Sequence, residues 1–388
     1  MDVDEELVRR DEVEAGAEIE ALVEAATVVA DDTPEAPGPS TGCDESAGAT
    51  AGQAGGAGAT GCSASPTDAI VSSEMTACGY CFRGGRMVQI ESGEGFEWQG
   101  QKHYDALGDA VIVHIQRLMR ELYGLVEVTL PIKETSGREL FEATVAAGEA
   151  GCATVRAEGV GADELTSKVF LSRDFYTNKD KLMVLIHGAG AVRAGMWARK
   201  LCMNNTLDEG SMLPYIERAL AEGYALAILN PNENRVKVGE AADGEPLHRY
   251  VDGSETPEAH SLYVYQNFIR ASPAAKIAIV AHSFGGVCTT FLLEQHGDEL
   301  LDAGLAAIAY TDSMNRFDHR MFSPRVREFV KTRLVNWIAS RRAMGATVKA
   351  KGSQCINRSA GHHKHEYTSW ACIDGVFEQF AIALAAAS

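Results

Sequence analysis

The chain has 388 residues, 46% of them hydrophobic, and its 54 acidic side chains outnumber the 35 basic ones to give a formal charge of −19. An α/β fold can use such a length as one unit of about 250 residues plus extensions, and 16 of the acids stand in the first 70 residues against only Arg9 and Arg10, leaving the remainder mildly acidic. A generally acidic surface disfavours non-specific adhesion to nucleic acid, so the acidic segment reads as a solubilising or partner-docking arm. The N-terminus is acidic where a secretory signal needs positive charge followed by an apolar core, and no apolar run approaches the roughly 18 residues of a membrane span. The expectation is a soluble chain that starts in the cytosol. Nine scattered cysteines, an odd number, make no disulfide framework.

In chain order, Leu7, Ile19, Leu22, Val23 and Ala26 fall partly on one helical face, which leaves either a short acidic helix or a frayed tail. Residues 31–67 are nearly all Ala, Gly, Ser, Thr, Pro and acid, and cannot bury enough surface to offset the entropy of ordering. Residues 1–80 are therefore expected to be a disordered tail and 81–388 the folded domain. Cys78-x-x-Cys81 has zinc-knuckle spacing but no second pair at a suitable distance, so no metal is expected there.

From residue 82 the pattern becomes that of a folded body. Val111, Ile112, Ile115, Leu118, Met119 and Leu122 recur at helical spacing, and a strand follows at 126–130, ended by Pro131. Residues 134–164, rich in Ala, Gly and acid, show weak periodicity and form an excursion of unassigned structure. Strands are predicted at 181–186, 224–229, 276–281 and 305–310, and helices at 211–222, 256–270 and 286–295, with a last one running to about 385. Ser211, Pro214 and Gly223 supply the cap, first-turn and stop signals of the 211–222 helix. Alternating strands and helices predict an α/β-hydrolase-like fold, a mostly parallel sheet with helices on both faces, whose ligands gather at the carboxyl ends of the strands.

The segment Ala281-His282-Ser283-Phe284-Gly285-Gly286 joins an apolar strand to a helix and reads as a nucleophile elbow with Ser283 at the tip. Ala281 stands where the usual motif has its first Gly. An oxyanion hole needs one backbone N–H from the residue after the nucleophile, here Phe284, and one from the loop after an earlier strand. His187-Gly188-Ala189-Gly190 is such a loop, with Gly188 and Ala189 as the donors; a tight glycine turn chosen for packing is the competing explanation. Asp312, just past the 305–310 strand, is the candidate acid, although it could instead cap the turn at 313–315. It stands one strand after the nucleophile, where two is the commoner placement. His362, His363 and His365 precede the last helix, where this fold puts its general base, and His365 is the choice because it is nearest the helix start. A His-rich surface loop without a role is the alternative, and the spacing of the three matches no familiar metal set. His282 reads as a packing or hydrogen-bonding group. No cofactor is called for. If the triad operates, His365 deprotonates Ser283, Asp312 orients the imidazole, and the serine attacks an acyl carbonyl.

Four ordered stretches, GQKHYDALGD at 100–109, HGAG at 187–190, AHSFGG at 281–286 and HEYTSW at 365–370, carry a family resemblance. The chain resembles the argonaute-binding-protein-two (Arb-two) domain, and most of all the animal cotranscriptional regulators called family with sequence similarity one-seven-two. The resemblance spans about 82–385. It implies an α/β-hydrolase-like fold and nuclear partner proteins associated with argonaute, small-RNA-directed heterochromatin (gene silencing by siRNA) and alternative splicing, in nucleus and cytoplasm. The alternative is an active serine hydrolase of ester or acyl groups. Arg325, Arg327, Lys331, Arg333, Arg341, Arg342, Lys349 and Lys351 crowd one region whose only acid is Glu328. They could form a phosphate-facing stripe, or the solvated face of a helix whose Val330, Leu334 and Trp337 point inward. The second is favoured, so direct nucleic-acid binding is not expected.

Overall fold

The computed structural model describes residues 66–133, 135–149, 164–240, 246–313, 317–318, 320–349 and 352–386. The expected tail before residue 66 lies outside the described residues. Residues 66–80, assigned to that tail from sequence, belong instead to the folded body. Ser72 Oγ accepts the N–H of Met75 at 3.3 Å and caps the short helix Ser73–Ala77, and Met75 and Tyr80 are buried. Their apolar side chains are too widely spaced to show a periodic face.

A hairpin of β1 (Tyr80–Arg83) and β2 (Arg86–Gln89) leads to α1 (Gln101–Glu121), whose Leu107, Val111, Ile115, Leu118 and Met119 are fully buried. Then come β3 (Val126–Leu130) and α2 (Gly137–Glu149). The latter lies inside the unassigned 134–164 excursion and buries Leu140 and Phe141. Its alanines blur the apolar face that would have announced it, and residues 150–163 are outside the described set. β4 (Ser167–Leu171), β5 (Lys181–Ile186), α3 (Leu213–Ala221) and β6 (Ala225–Ile228) follow. Ser211 Oγ accepts the N–H of Leu213 at 3.3 Å, and that helix starts two residues later than its cap signal suggested. A hairpin of β7 (Arg235–Glu240) and β8 (Pro246–Tyr250) precedes α4 (Pro257–Asn267), β9 (Lys276–His282), α5 (Gly285–Asp302) and β10 (Leu305–Thr311). The chain ends through α6 (Pro324–Arg333), β11 (Leu334–Ile338), β12 (Ile356–Ser359) and α7 (Ile373–Ala386). No described helix is long and apolar enough to cross a membrane.

Eight strands form one sheet in the order β12-β11-β10-β9-β5-β6-β4-β3, parallel throughout except that β4 runs antiparallel to both neighbours. The continuous apolar runs of β5 and β9 follow from burial on both faces. Leu182, Val184 and Ile186 of β5 pack with Ile277, Ile279 and Ala281 of β9 on the side covered by α2, α4, α5 and α6. Met183, Leu185, Ala278 and Val280 pack on the opposite side with α1, α3 and α7. From β5 the chain passes to β6 on one side, while β9 lies on the other, so the order reverses at the β5–β9 pair. That is where doubly wound sheets open a crevice for ligands.

One element departs from the sequence reading. The helix expected to carry Val330, Leu334 and Trp337 inward ends at Arg333, and the chain passes directly into β11. The three residues are buried as expected, but Leu334 and Trp337 are strand residues. Their positions four and seven residues after Val330 imitate one face of a helix, while the run Leu-Val-Asn-Trp-Ile suits a strand buried on both faces.

Candidate active site

β9 delivers Ser283 to the carboxyl edge of the sheet and α5 leaves two residues later. Ser283 (φ 51°) and Asp312 (φ 56°) are the two non-glycine residues with positive φ among the described residues. Such backbone costs on the order of 1–3 kcal/mol and persists only where its surroundings hold it. Here they do: the Ser283 N–H donates to the Thr311 carbonyl at 3.2 Å, and the Ser283 carbonyl accepts from Ser313 Oγ at 2.7 Å and the Gly286 N–H at 3.1 Å. A Cβ on Gly285 would stand 2.6 Å from the Ile186 carbonyl oxygen and 2.7 Å from that of His187, so only glycine lets α5 depart this close to β5. Ala281, in place of the motif's first glycine, is fully buried and packs in the same core as Cys288 and Leu292.

The His187-Gly188-Ala189-Gly190 loop lies against the serine. A Cβ on Gly188 would come 2.9 Å from Ser283 Cβ and 3.4 Å from its Oγ. Asn232 holds the loop through Nδ2, which donates to the carbonyls of Gly188 (2.9 Å), Gly190 (2.9 Å) and Val192 (3.3 Å). Neighbouring Asn230 accepts the Ala194 N–H at 2.9 Å through Oδ1, and its own N–H donates to His260 Nε2 at 3.0 Å. The N–H groups of Gly188, Ala189 and Phe284 donate to no described residue. Phe284 caps the amino end of α5, where the helix dipole favours negative charge, and Gly188 lies against Ser283 beside it.

Asp312 is brought to His365. His365 Nδ1 lies 2.8 Å from Asp312 Oδ2, while Oδ1 accepts the Ala339 N–H at 2.9 Å. Burial pushes the carboxyl upward, but the hydrogen bonds from His365 and Ala339 outweigh it and leave the pKa below the usual value. An ionised Asp312 fixes the proton of His365 on Nδ1 and leaves Nε2 as the basic atom. The carboxylate faces His365, and the turn at 313–315 that it could instead cap lies mostly outside the described residues. His362 and His363 stack on one another at 4.9 Å, with His362 also 4.2 Å from the Tyr367 ring, and neither bonds to Asp312. Ser283 Oγ itself makes no hydrogen bond to a described residue; bonds of this kind often close only when substrate is bound.

His282 sits under the pair, its ring 4.7 Å from that of His365. Burial above all drives its pKa down to about 3. Its Nδ1 lies 2.8 Å from the Thr311 carbonyl oxygen, which can only accept, so the proton is on Nδ1 and the ring is neutral. Thr311 Oγ1 continues to Ser369 Oγ at 2.8 Å, and Tyr215 donates to the Ser369 carbonyl at 2.7 Å. Asn232, Ala339 and this buried chain escaped the sequence reading, since each acts through a tertiary contact. Only the Asn230-Pro231-Asn232 turn after β6 left a local mark. Arranged in this way, the groups can activate a hydroxyl and stabilise an oxyanion.

Residues 154–344 match the family model described as the Arb2 domain, a span that includes Ser283 and Asp312 and stops before His365. The cotranscriptional regulator ARB2A homolog of Dictyostelium discoideum is 34% identical over 325 residues, 76% of this chain and 75% of that one. The homolog of Xenopus tropicalis is 31% identical over 353 residues, covering 78% and 77%. Among solved structures, a histone deacetylase from Saccharomyces cerevisiae aligns with 73% of this chain and 100% of its own at a TM-score of 0.42 and 11% identity, a likeness too slight to bear on chemistry. Identity above 30% across three quarters of both chains shows that this chain belongs to the Arb2-domain family of ARB2A-like proteins.

Proposed function

We propose that the chain is a cotranscriptional regulator that uses an α/β-hydrolase body to bind argonaute, splicing or chromatin-silencing proteins in the nucleus. The observation that carries this reading is the match, over about three quarters of each chain, to relatives named cotranscriptional regulators. The acidic N-terminal segment acts in it as a docking or solubilising arm, and any RNA is held by a partner. Consistent with that, Arg325 in the basic run is neutralised by Asp302 at 2.8 Å, and Arg327 and Arg333 donate to the carbonyls of Phe322 and Ala383. Affinity capture of the tagged full chain from nuclear extract is expected to recover argonaute, splicing or chromatin proteins above the level of a charge-matched control. Recovery of none of the three contradicts the reading.

A second, compatible reading rests on the His365–Asp312 hydrogen bond beside a left-handed Ser283: the body is also a serine hydrolase. Ser283 Oγ attacks the acyl carbonyl and passes its proton to Nε2 of His365 while the carbonyl electrons move onto oxygen. The N–H groups of Phe284 and of Gly188 or Ala189 meet that oxyanion. Collapse breaks the bond to the leaving group, which takes the proton from His365. Water then gives a proton to His365 as it attacks the acyl-serine, and collapse frees the acid while Ser283 Oγ takes that proton back from His365. A fluorophosphonate probe is expected to label the wild type and not Ser283→Ala; equal labelling of the two removes this reading.

A further inference from the structure

The sequence singled out a basic run at 325–351, and the structure divides it. In its α6 half, Arg325 pairs with Asp302 of α5 at 2.8 Å and lies 3.8 Å from Asp298, and Arg327 and Arg333 donate to backbone carbonyls. Its other half enters the loop after β11, which from 339 to 355 contains Arg341, Arg342, Lys349 and Lys351 and no acid. The start of that loop belongs to the candidate active site. Its first residue, Ala339, donates its N–H to the Asp312 carboxylate at 2.9 Å, and the next, Ser340, donates to the His362 carbonyl at 2.8 Å. The 339–349 loop and the histidine loop are thereby tied together beside Asp312 and His365. Arg341 follows Ala339 by two residues, so its Cα lies within roughly 7–8 Å of the Ala339 Cα, and Lys364 directly precedes His365.

Arg341, Arg342 and Lys364 are exposed and form no ion pair among the described residues. The field of Arg341 reaches the histidine loop, where it adds to desolvation in lowering the pKa of His363. Glu366 is the acid within that loop. Arg341, Arg342 and Lys364 thus stand on the two loops that bond to Asp312 and to each other beside the Asp312–His365 pair. Exposed guanidinium and ammonium groups recognise carboxylate and phosphate.

We propose that the acyl or ester substrate taken at Ser283 carries an anionic group, carboxylate or phosphate, that lies against Arg341, Arg342 and Lys364. The inference rests on the serine-hydrolase reading and names the substrate class of that site. The test uses the full chain and three esters of matched length: 4-nitrophenyl butyrate, mono-4-nitrophenyl succinate, and the analogue ending in a phosphonate. Two or three surface charges of this kind are expected to raise kcat/KM for an anionic ester about tenfold over the neutral one at low salt. The preference should fall toward unity by about 0.5 M salt, where the Debye length drops to a few ångströms.

In the double variant Arg341→Glu with Arg342→Glu the ratio is expected to fall to about one or below, whereas Arg341→Lys with Arg342→Lys should retain most of it. A ratio can be read only from active enzyme, so a misfolded variant does not imitate this result. Which anionic ester leads tells carboxylate from phosphate. A wild type that takes fluorophosphonate and hydrolyses the neutral ester as well as either anionic one overturns the proposal and leaves the hydrolase reading standing. A folded wild type that neither labels nor hydrolyses any of the three overturns both.

Discussion

Ser283 and Asp312 share a property that motif matching does not convey: both are held in left-handed backbone by neighbours, at φ 51° and 56°. Ser283 was legible because small residues must flank a strand-to-helix turn, and His365 because chain order puts a base before the last helix. Asp312 was legible as a strand-end acid that chain order pairs with His365, 53 positions away, although a turn cap at 313–315 explained the same residue equally well. Asn232 was not legible as a brace, because nothing local shows that one amide spans three carbonyls. If the hydrolase reading holds, Asp312→Asn should leave the fold intact and lower ester turnover by about 10³–10⁴-fold, as expected when a histidine loses the carboxylate that sets its tautomer. Steady-state hydrolysis with a thermal melt as control checks this. Asn232→Ala should lower turnover on the order of tenfold by freeing the oxyanion loop, with KM changing less than kcat.

At the scale of elements, the β5–β9 pair was plain in the sequence because both strands are continuous apolar runs, buried on two faces. Elements with mixed signals were not. α2 is Ala-rich, and the basic run changes from helix to strand at Leu334 with no proline or glycine to mark the join. The elbow also depends on contacts between elements. Gly285→Ala would drive a methyl group to 2.6 Å from a backbone oxygen of β5, and backbone yields less readily than a side chain. A loss of about 1–3 kcal/mol in urea unfolding is expected, together with loss of fluorophosphonate labelling. Unchanged stability would mean that α5 can shift away from β5.

For the molecule as a whole, the four buried histidines among the described residues set an expectation for acid stability. Burial above all holds His114 and His187 near a pKa of about 4 and His260 and His282 near about 3. Each is neutral in the folded state and takes up a proton on unfolding once the pH falls below its ordinary value of about 6.5. Their contribution is therefore complete above that pH and is lost progressively as the pH falls toward 4 and 3. Each histidine makes stability fall on the order of 1.4 kcal/mol per pH unit in that window. Asp312, whose folded pKa is lowered, adds a loss only at more acidic pH, within and below the usual carboxylate range. Urea midpoints measured at pH 7.5, 6.5 and 5.5 should drop steeply over the last step; equal midpoints would mean that these rings are protonated in place.

All three scales meet at the site: two left-handed residues, Ser283 and Asp312, end two adjacent parallel strands inside the span that matches the family model, and we propose that they converge on one reactive hydroxyl. Fluorophosphonate labelling of the full-length protein tests this convergence most directly, with Ser283→Ala, His365→Ala and Asp312→Asn compared side by side. The expected result is labelling of the wild type, none of Ser283→Ala, and a strongly reduced rate in the other two. A folded wild type that stays unlabelled, or labelling that survives loss of His365, would contradict it.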